Sequence, residues 1–287
     1  MFIEVSLFTA LGAMLFWGIG DFFIQKTVRR LGNIEALALI AIIGSVFLLP
    51  FILKDIHLLK SPQNLLLLLF LGIFSFFIAI LNFEALKQGK LSVIDVILEI
   101  ELPITVLLGI IFFREIISWH QIFMMLLIFT GILLMVKQPY KKKGSFTLEK
   151  GVLFGIFAAL GLGAINFLTA TSSKQISPIM AIWFPWLIIA IISLGLIAKR
   201  EGLNKFIYNA KKYKMIILIT GVIDTLAWVF YAFALKTHDL AVTTAITESY
   251  PAIAILLGVM INKEKIRWYQ YLGASLALLG SVALLFI

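Results

Sequence analysis

"LEIELPITVLLGIIFFREIISWHQIFMMLLIFTG", residues 98–131, and "TESYPAIAILLGVMINKEKIRWYQYLGASLALLG", residues 247–280, are one pattern written twice. The offset is 149 residues. Comparing 86–134 with 235–283 needs no gap and gives 16 identities in 49 positions. Apolar composition readily supplies matches of leucine and isoleucine. It does not readily supply Lys87/Lys236, Glu99/Glu248, Gly109/Gly258, Glu115/Glu264, Trp119/Trp268, Gln121/Gln270 and Gly131/Gly280. The chain therefore reads as two copies of one unit.

Composition says what kind of unit this is. Of 287 residues, 62% are hydrophobic and 14% charged, and the mean hydropathy is +1.07. A soluble domain carries about 25% charged residues, so the chain reads as a polytopic membrane protein. Apolar runs long enough to cross a bilayer as helices fall at roughly 3–24, 34–53, 65–84, 91–113, 121–137, 150–171, 178–198, 214–235, 240–261 and 268–287. The expected fold is an all-α membrane protein of ten transmembrane helices. A first five-helix repeat covers 1–137, a basic linker 138–149, and a second repeat 150–287. Five is odd, so the second copy enters the membrane from the opposite side. Inverted repeats are characteristic of secondary transporters, which bind their solute near the midplane between the copies.

The net charge of +9 does not point to nucleic acid, because the basic residues lie between apolar runs. Lys and Arg in and beside the connections after the odd-numbered spans total 19, against 5 after the even-numbered ones. Positive charge marks the cytoplasmic side. The expected placement is a multi-pass protein of the cell membrane, with both termini outside and the linker inside. The first apolar run has no basic residue before it, so it reads as a retained helix rather than a cleaved signal. There is no cysteine, which excludes disulfides, thiol catalysis and cysteine-held metals.

Two stretches carry a family resemblance. "LFWGIGDFFIQK" (15–26) is similar to the first-helix pattern of the ten-helix EamA-type branch of the drug/metabolite transporter superfamily. "YPAIAILLGVMINKEKIRWYQYLGASLALLG" (250–280) resembles that family's run of Pro, then Glu thirteen residues on, then Gln and Gly. The first copy departs slightly, since Pro103 lies twelve residues before Glu115. The resemblance implies export or import of small metabolites through a cavity lined by spans 1, 3, 4, 6, 8 and 9. Many members place a Glu directly before the proline. Here that place is held by Tyr250 in the second copy and, counted back from Glu115, by Glu101 in the first. The matched acids Glu99 and Glu248 are not the family's usual ones.

Glu99 and Glu248 nevertheless stand out. A carboxylate near the middle of a bilayer costs roughly 2.5–3.5 kcal/mol on insertion scales, so intramembrane acids are functional by default. A symmetric pair facing a wet cavity can handle a proton or bind a cationic group; the alternative is a protonated acid that locks helix packing. Asp95 shares a helix face with Glu99, and reads equally well as a headgroup-level residue. Glu101 points about 200° away, toward another cavity wall or a neighbouring helix. Asp224, Trp228 and Tyr231 form an i, i+4, i+7 stripe whose repeat mates are Ser75, Ala79 and Asn82. Unsatisfied polar groups do not face lipid, so this stripe is expected to look inward as a binding wall, or, for the two aromatics, as packing alone.

Gly18 and Gly20, late in the first span, allow a break or a close helix contact; Asp21 beside them reads as cavity-facing or as interfacial, and Trp17 is a candidate for the solute. Trp183, Pro185 and Trp186 read as an aromatic belt at headgroup level, with an aromatic gate as the alternative. Glu115 and Glu264 read as loop-fixing rather than chemical groups. Ser118 and Gln121 have capping-box spacing, which Arg267 interrupts in the second copy. Gly273, Ala277 and Gly280 form a small-residue stripe, for packing within the fold or for a homodimer.

No HExxH, GxSxG or phosphate loop is present. His57, His120 and His238 fall in expected loops apart from other candidate ligands. The expectation is therefore no enzyme, no cofactor and no metal. It is a secondary transporter of small organic metabolites such as amino acids, working as an exporter by alternating access. The partners are a small-molecule substrate and the lipid bilayer. A proton-coupled exporter of lipophilic cations or polyamines is the alternative within transport. A receptor or scaffold is the alternative outside it, and such a protein has no need of an inverted repeat.

Overall fold

The computed structural model describes residues 5–88, 97–136, 150–200, 202–263 and 266–287, among which every regular element is helical. Twelve α-helices are formed by the described residues: α1 Val5–Leu31, α2 Asn33–Ile52, α3 Pro62–Gln88, α4 Glu101–Leu108, α5 Trp119–Val136, α6 Lys150–Gln175, α7 Pro178–Arg200, α8 Leu203–Lys212, α9 Lys214–Thr237, α10 Leu240–Thr247, α11 Tyr250–Asn262 and α12 Trp268–Leu284. Among the described residues, six helical stretches are long and apolar enough to cross a membrane: Asn33–Ile52, Pro62–Asn82, Gly151–Gln175, Pro178–Arg200, Lys214–Thr237 and Leu240–Leu257. Phe8–Gly20, Glu101–Phe113 and Trp119–Met135 are shorter apolar helices. Exposed Leu66, Phe70, Ile73 and Phe77 recur along one face of α3, as a lipid-facing stripe requires.

The helices differ from ten simple spans at several points. The expected first loop is absent: α1 runs to Leu31 and only Gly32, at φ 93°, separates it from α2. A glycine meets that backbone demand without strain. The expected basic connection 199–213 contains a helix, α8. The expected span 240–261 is two helices, broken at Glu248 and Ser249.

That last break follows from the sequence. Pro251 has no N–H for the Thr247 carbonyl four residues back, and its ring crowds that carbonyl. Pro103 stands in the same relation to Glu99. Glu99 and Ile100 form a turn, and the Glu99 carbonyl instead accepts the Leu102 N–H at 3.3 Å.

The chain packs as two compact units that cut across the repeats. One comprises 1–3, 78–167 and 239–287, the other 4–77 and 168–238. In the first unit, α5 packs on α12 and α4 on α10. A Cβ on Gly131 would meet the Gly273 carbonyl at 2.6 Å, and one on Gly280 would meet Ile128 at 2.7 Å. The small-residue stripe of α12 is thus used within this unit. In the second unit, α1 packs on α9 and α2 on α7 and α9. Thr27 and Thr220 join α1 to α9 through their hydroxyls, 2.9 Å apart. α1 is unbroken at Gly18 and Gly20, and Gly20 serves as a contact to Ile223. The side chain of Asp21 lies outside the described residues.

Matched sequence becomes matched geometry. Arg114 and Lys263, 149 residues apart, adopt left-handed backbone with φ 55° and 53°. The Ser118–Gln121 box forms in both directions: Gln121 Oε1 accepts the Ser118 N–H at 2.9 Å, and Ser118 Oγ accepts the Gln121 N–H at 3.2 Å. In the second copy Gln270 Oε1 accepts the Arg267 N–H at 3.0 Å. A guanidinium has no acceptor, so half of the box persists where none was expected.

Candidate functional site

Glu99 and Glu248 both sit, half-buried, at the breaks just described. Each therefore lies beside backbone that a continuous helix would have satisfied internally. The helices after and before the two breaks, α4 and α10, pack against each other in the first unit. Around the second break the chain is rich in hydroxyls. Thr243, Thr244, Thr247, Ser249 and Ser281 are all buried. Thr247 Oγ1 returns to the Thr244 carbonyl at 3.1 Å, Ser249 Oγ to the Ala245 carbonyl at 3.2 Å, and Ser281 Oγ to Ser249 Oγ at 2.5 Å. The first two are local bonds that support the broken turn, as short polar side chains do when a helix is interrupted, and the third ties it to α12.

Glu101 takes the second course foreseen for it and meets a neighbouring helix. Asn166 Nδ2 on α6 donates to Glu101 Oε1 at 2.7 Å and lies 3.2 Å from Thr105 Oγ1. Gly163, one turn earlier on α6, lets the helices approach, since a Cβ there would meet Ile104 at 2.6 Å. Sequence reading did not select Asn166. The available signal was an amide alone in an apolar run, followed at Thr169 and Ser173 by further polar residues at helical spacing. Asn82 is half-buried and its Oδ1 has no hydrogen-bond partner among the described residues. It is an open acceptor in this unit. Asp95 lies outside the described residues.

In the second unit the predicted stripe on α9 does face inward. Asp224 is 5% exposed and Tyr231 fully buried. Trp17 of α1 closes an aromatic cluster with them. Its ring lies 5.1 Å from Trp228, edge-on, and 5.2 Å from Tyr231, with Trp228 and Tyr231 6.0 Å apart. These are favourable edge-to-face and tilted distances. Trp17 and Trp228 remain half-buried, so each keeps some ring surface free.

Two expectations need correction. Trp183 and Trp186 are no headgroup belt: they are 8% and 9% exposed, packed inside the second unit. Trp183 Nε1 donates to the Ser45 carbonyl at 3.0 Å, and Gly44 leaves room for the Trp186 ring. His120 is helical, in the first turn of α5, while His57 lies in a short 3-10 turn and His238 at the end of α9.

Glu115 does fix a loop, but at long range. Its carboxylate accepts the N–H groups of Leu240 at 2.5 Å and Ala241 at 3.0 Å, capping the start of α10. Its repeat mate Glu264 lies outside the described residues.

Residues 5–137 and 149–286 each match the EamA-like transporter family. No curated protein matches the chain in sequence. A solved structure described only as the crystal structure of a protein is similar in fold, with a TM-score of 0.77 at 15% identity. The match covers 96% of this chain and 95% of that one.

Proposed function

The chain belongs to the EamA-like transporter family and is thus a membrane transporter of the drug/metabolite type; from that premise we propose that it exports a small organic metabolite, an amino acid or close relative, by alternating access. Ten membrane passages in two inverted five-span halves, 1–137 and 150–287 joined by 138–149, are the architecture this reading uses. The observation that supports it most is the pair of helix breaks at Glu99 and Glu248. Broken helices are where secondary transporters offer backbone dipoles and carbonyls to solute and coupling ion. An ordinary packing helix gains nothing from such a break.

Glu99 and Glu248 are assigned to the ammonium of the solute and to proton coupling, with Asn82 Oδ1 as an added acceptor. Asp224, Trp228, Tyr231 and Trp17 are assigned to the solute as a polar and aromatic wall. A cationic substrate, a polyamine or lipophilic cation, is the second reading. It is favoured by the presence of a third carboxylate, Glu101, in the same unit as the other two.

A thermal-shift panel of the purified protein against amino acids, nucleosides, sugars and polyamines tests both readings. A ligand that binds only the folded state raises the melting temperature, by an amount that grows with its concentration. Amino acids alone raising it supports the first reading, and polyamines alone the second. A response only to uncharged sugars or nucleosides overturns both. Glu101→Gln separates them further. It should weaken polyamine binding but leave an amino-acid ligand nearly unaffected, because Gln still accepts the Asn166 amide.

A further inference from the structure

α8 is ten residues long, "LNKFIYNAKK", and joins two helices that are each long enough to cross a membrane. At 1.5 Å per residue it spans about 15 Å, far too short to cross. Since α7 and α9 flank it closely in sequence, it lies at a membrane surface. Its inner face is anchored. Phe206 is 7% exposed in a cluster with Leu31, Ala36, Leu39, Ile197 and Ile217, and Asn209 Nδ2 donates to Glu35 Oε2 at 3.1 Å. Its outer face is not covered in the same way. Leu203 and Ile207, one turn apart, are 47% and 46% exposed, and Tyr208 beside them is more so.

The charge in and beside α8 is mostly positive. Lys199, Arg200, Lys205, Lys211, Lys212 and Lys214 surround α8 in sequence, against the single acid Glu201. Space adds Arg30 from the end of α1. The Arg30 guanidinium lies 5.5 Å from the centre of the Tyr213 ring, and Lys212 Nζ lies 5.3 Å from the same centre. Two exposed cations thus share one aromatic ring, and among the described residues neither has a carboxylate partner. Both cations sit at the one ring, which concentrates positive charge beside α8.

We propose that α8, with Arg30, Lys212 and Tyr213, is a binding site for anionic phospholipid. The lipid phosphate pairs with these cations, and Leu203 and Ile207 dip into the acyl layer. Apolar burial and charge attraction together are what hold an amphipathic helix in the interface, and clustered basic residues give it a preference for anionic headgroups. The occupant is a lipid rather than a soluble anion, because the cations alone do not account for the exposed Leu203 and Ile207.

The test uses the full-length protein in detergent, titrated with short-chain phosphatidylglycerol, phosphatidylcholine or inorganic phosphate while its melting temperature is followed. Phosphatidylglycerol is expected to raise the melting temperature more than phosphatidylcholine, and phosphate is expected to leave it unchanged. Arg30→Gln with Lys212→Gln should weaken the phosphatidylglycerol response on the order of tenfold in half-saturating lipid. Lys54→Gln with Lys60→Gln, in the loop before α3, should not. Added salt should erase the difference between the two lipids in the wild type, a readout that needs no variant. Equal response to both lipids overturns the proposal, as does an unchanged response in the Arg30/Lys212 variant. A response to phosphate equal to that of phosphatidylglycerol overturns the lipid assignment.

Discussion

Glu115 Oε1 accepts the N–H of Leu240 at 2.5 Å, so a residue after the first proline-broken span holds the start of the second one, 125 positions away. The other oxygen takes the Ala241 N–H at 3.0 Å. Gly109 makes room for that carboxylate, for a Cβ there would collide with it. A carboxylate at a helix N-terminus satisfies two orphan donors and complements the helix dipole. Glu115→Gln keeps one acceptor and turns a donor toward the other N–H. It should cost about 1–3 kcal/mol, seen as a lower melting temperature in detergent. Gly109→Ala should lower it too, by displacing the same carboxylate. Wild-type melting in both variants would show that the cap does not hold α10.

Glycine replacements should have opposite signs according to what each faces. Gly131→Ala would force a methyl onto the Gly273 carbonyl and Ala277 backbone of α12. The expected loss is about 1–3 kcal/mol. Gly195 in α7 has nothing within 4 Å of a built Cβ. There alanine relieves the helix of glycine's entropy and should add about 0.5–1 kcal/mol. Melting curves of the two purified variants, taken side by side, check both the sign and the contrast.

If Glu99 and Glu248 couple transport to protons, replacing either with Gln alters the pH response as well as the rate. Two interacting acids titrate as a pair, so removing one leaves a flatter pH profile. Transport is measured against pH in vesicles, with a ligand identified by the thermal-shift panel. Folded variants that retain the wild-type profile would make both acids packing elements and leave Asp224 as the next candidate. Trp228→Ala, in the same assay, should raise the half-saturating substrate concentration about fivefold if one ring contact worth ~1 kcal/mol is lost.

The uneven Lys and Arg distribution sets the expected orientation. Reporter fusions at Lys142 and after Ile287 should report the linker inside and the C-terminus outside. A cytoplasmic signal from the C-terminal fusion would reverse the orientation while leaving the helix pairing as it is.

Much of this molecule can be read along the chain. The two copies are visible because charged and aromatic residues match at a constant offset, and a match of that kind does not depend on contacts. The break at Glu248 is also legible in principle, since Pro251 removes a donor within its own helix, but hydropathy alone shows a continuous span there because it does not register a missing N–H. The inward stripe of Asp224 and Tyr231 follows from helical period together with the cost of a polar group facing lipid. Other features were decided only when distant helices met. Asn166 is one amide in an apolar run until α4 brings Glu101 to it, and Trp183 and Trp186 resemble a headgroup belt until α2 covers them. Glu115 finds its partners on α10, across more than a hundred residues. Helical period and composition are local properties, whereas the partner of a buried polar group is set by whichever helix packs beside it.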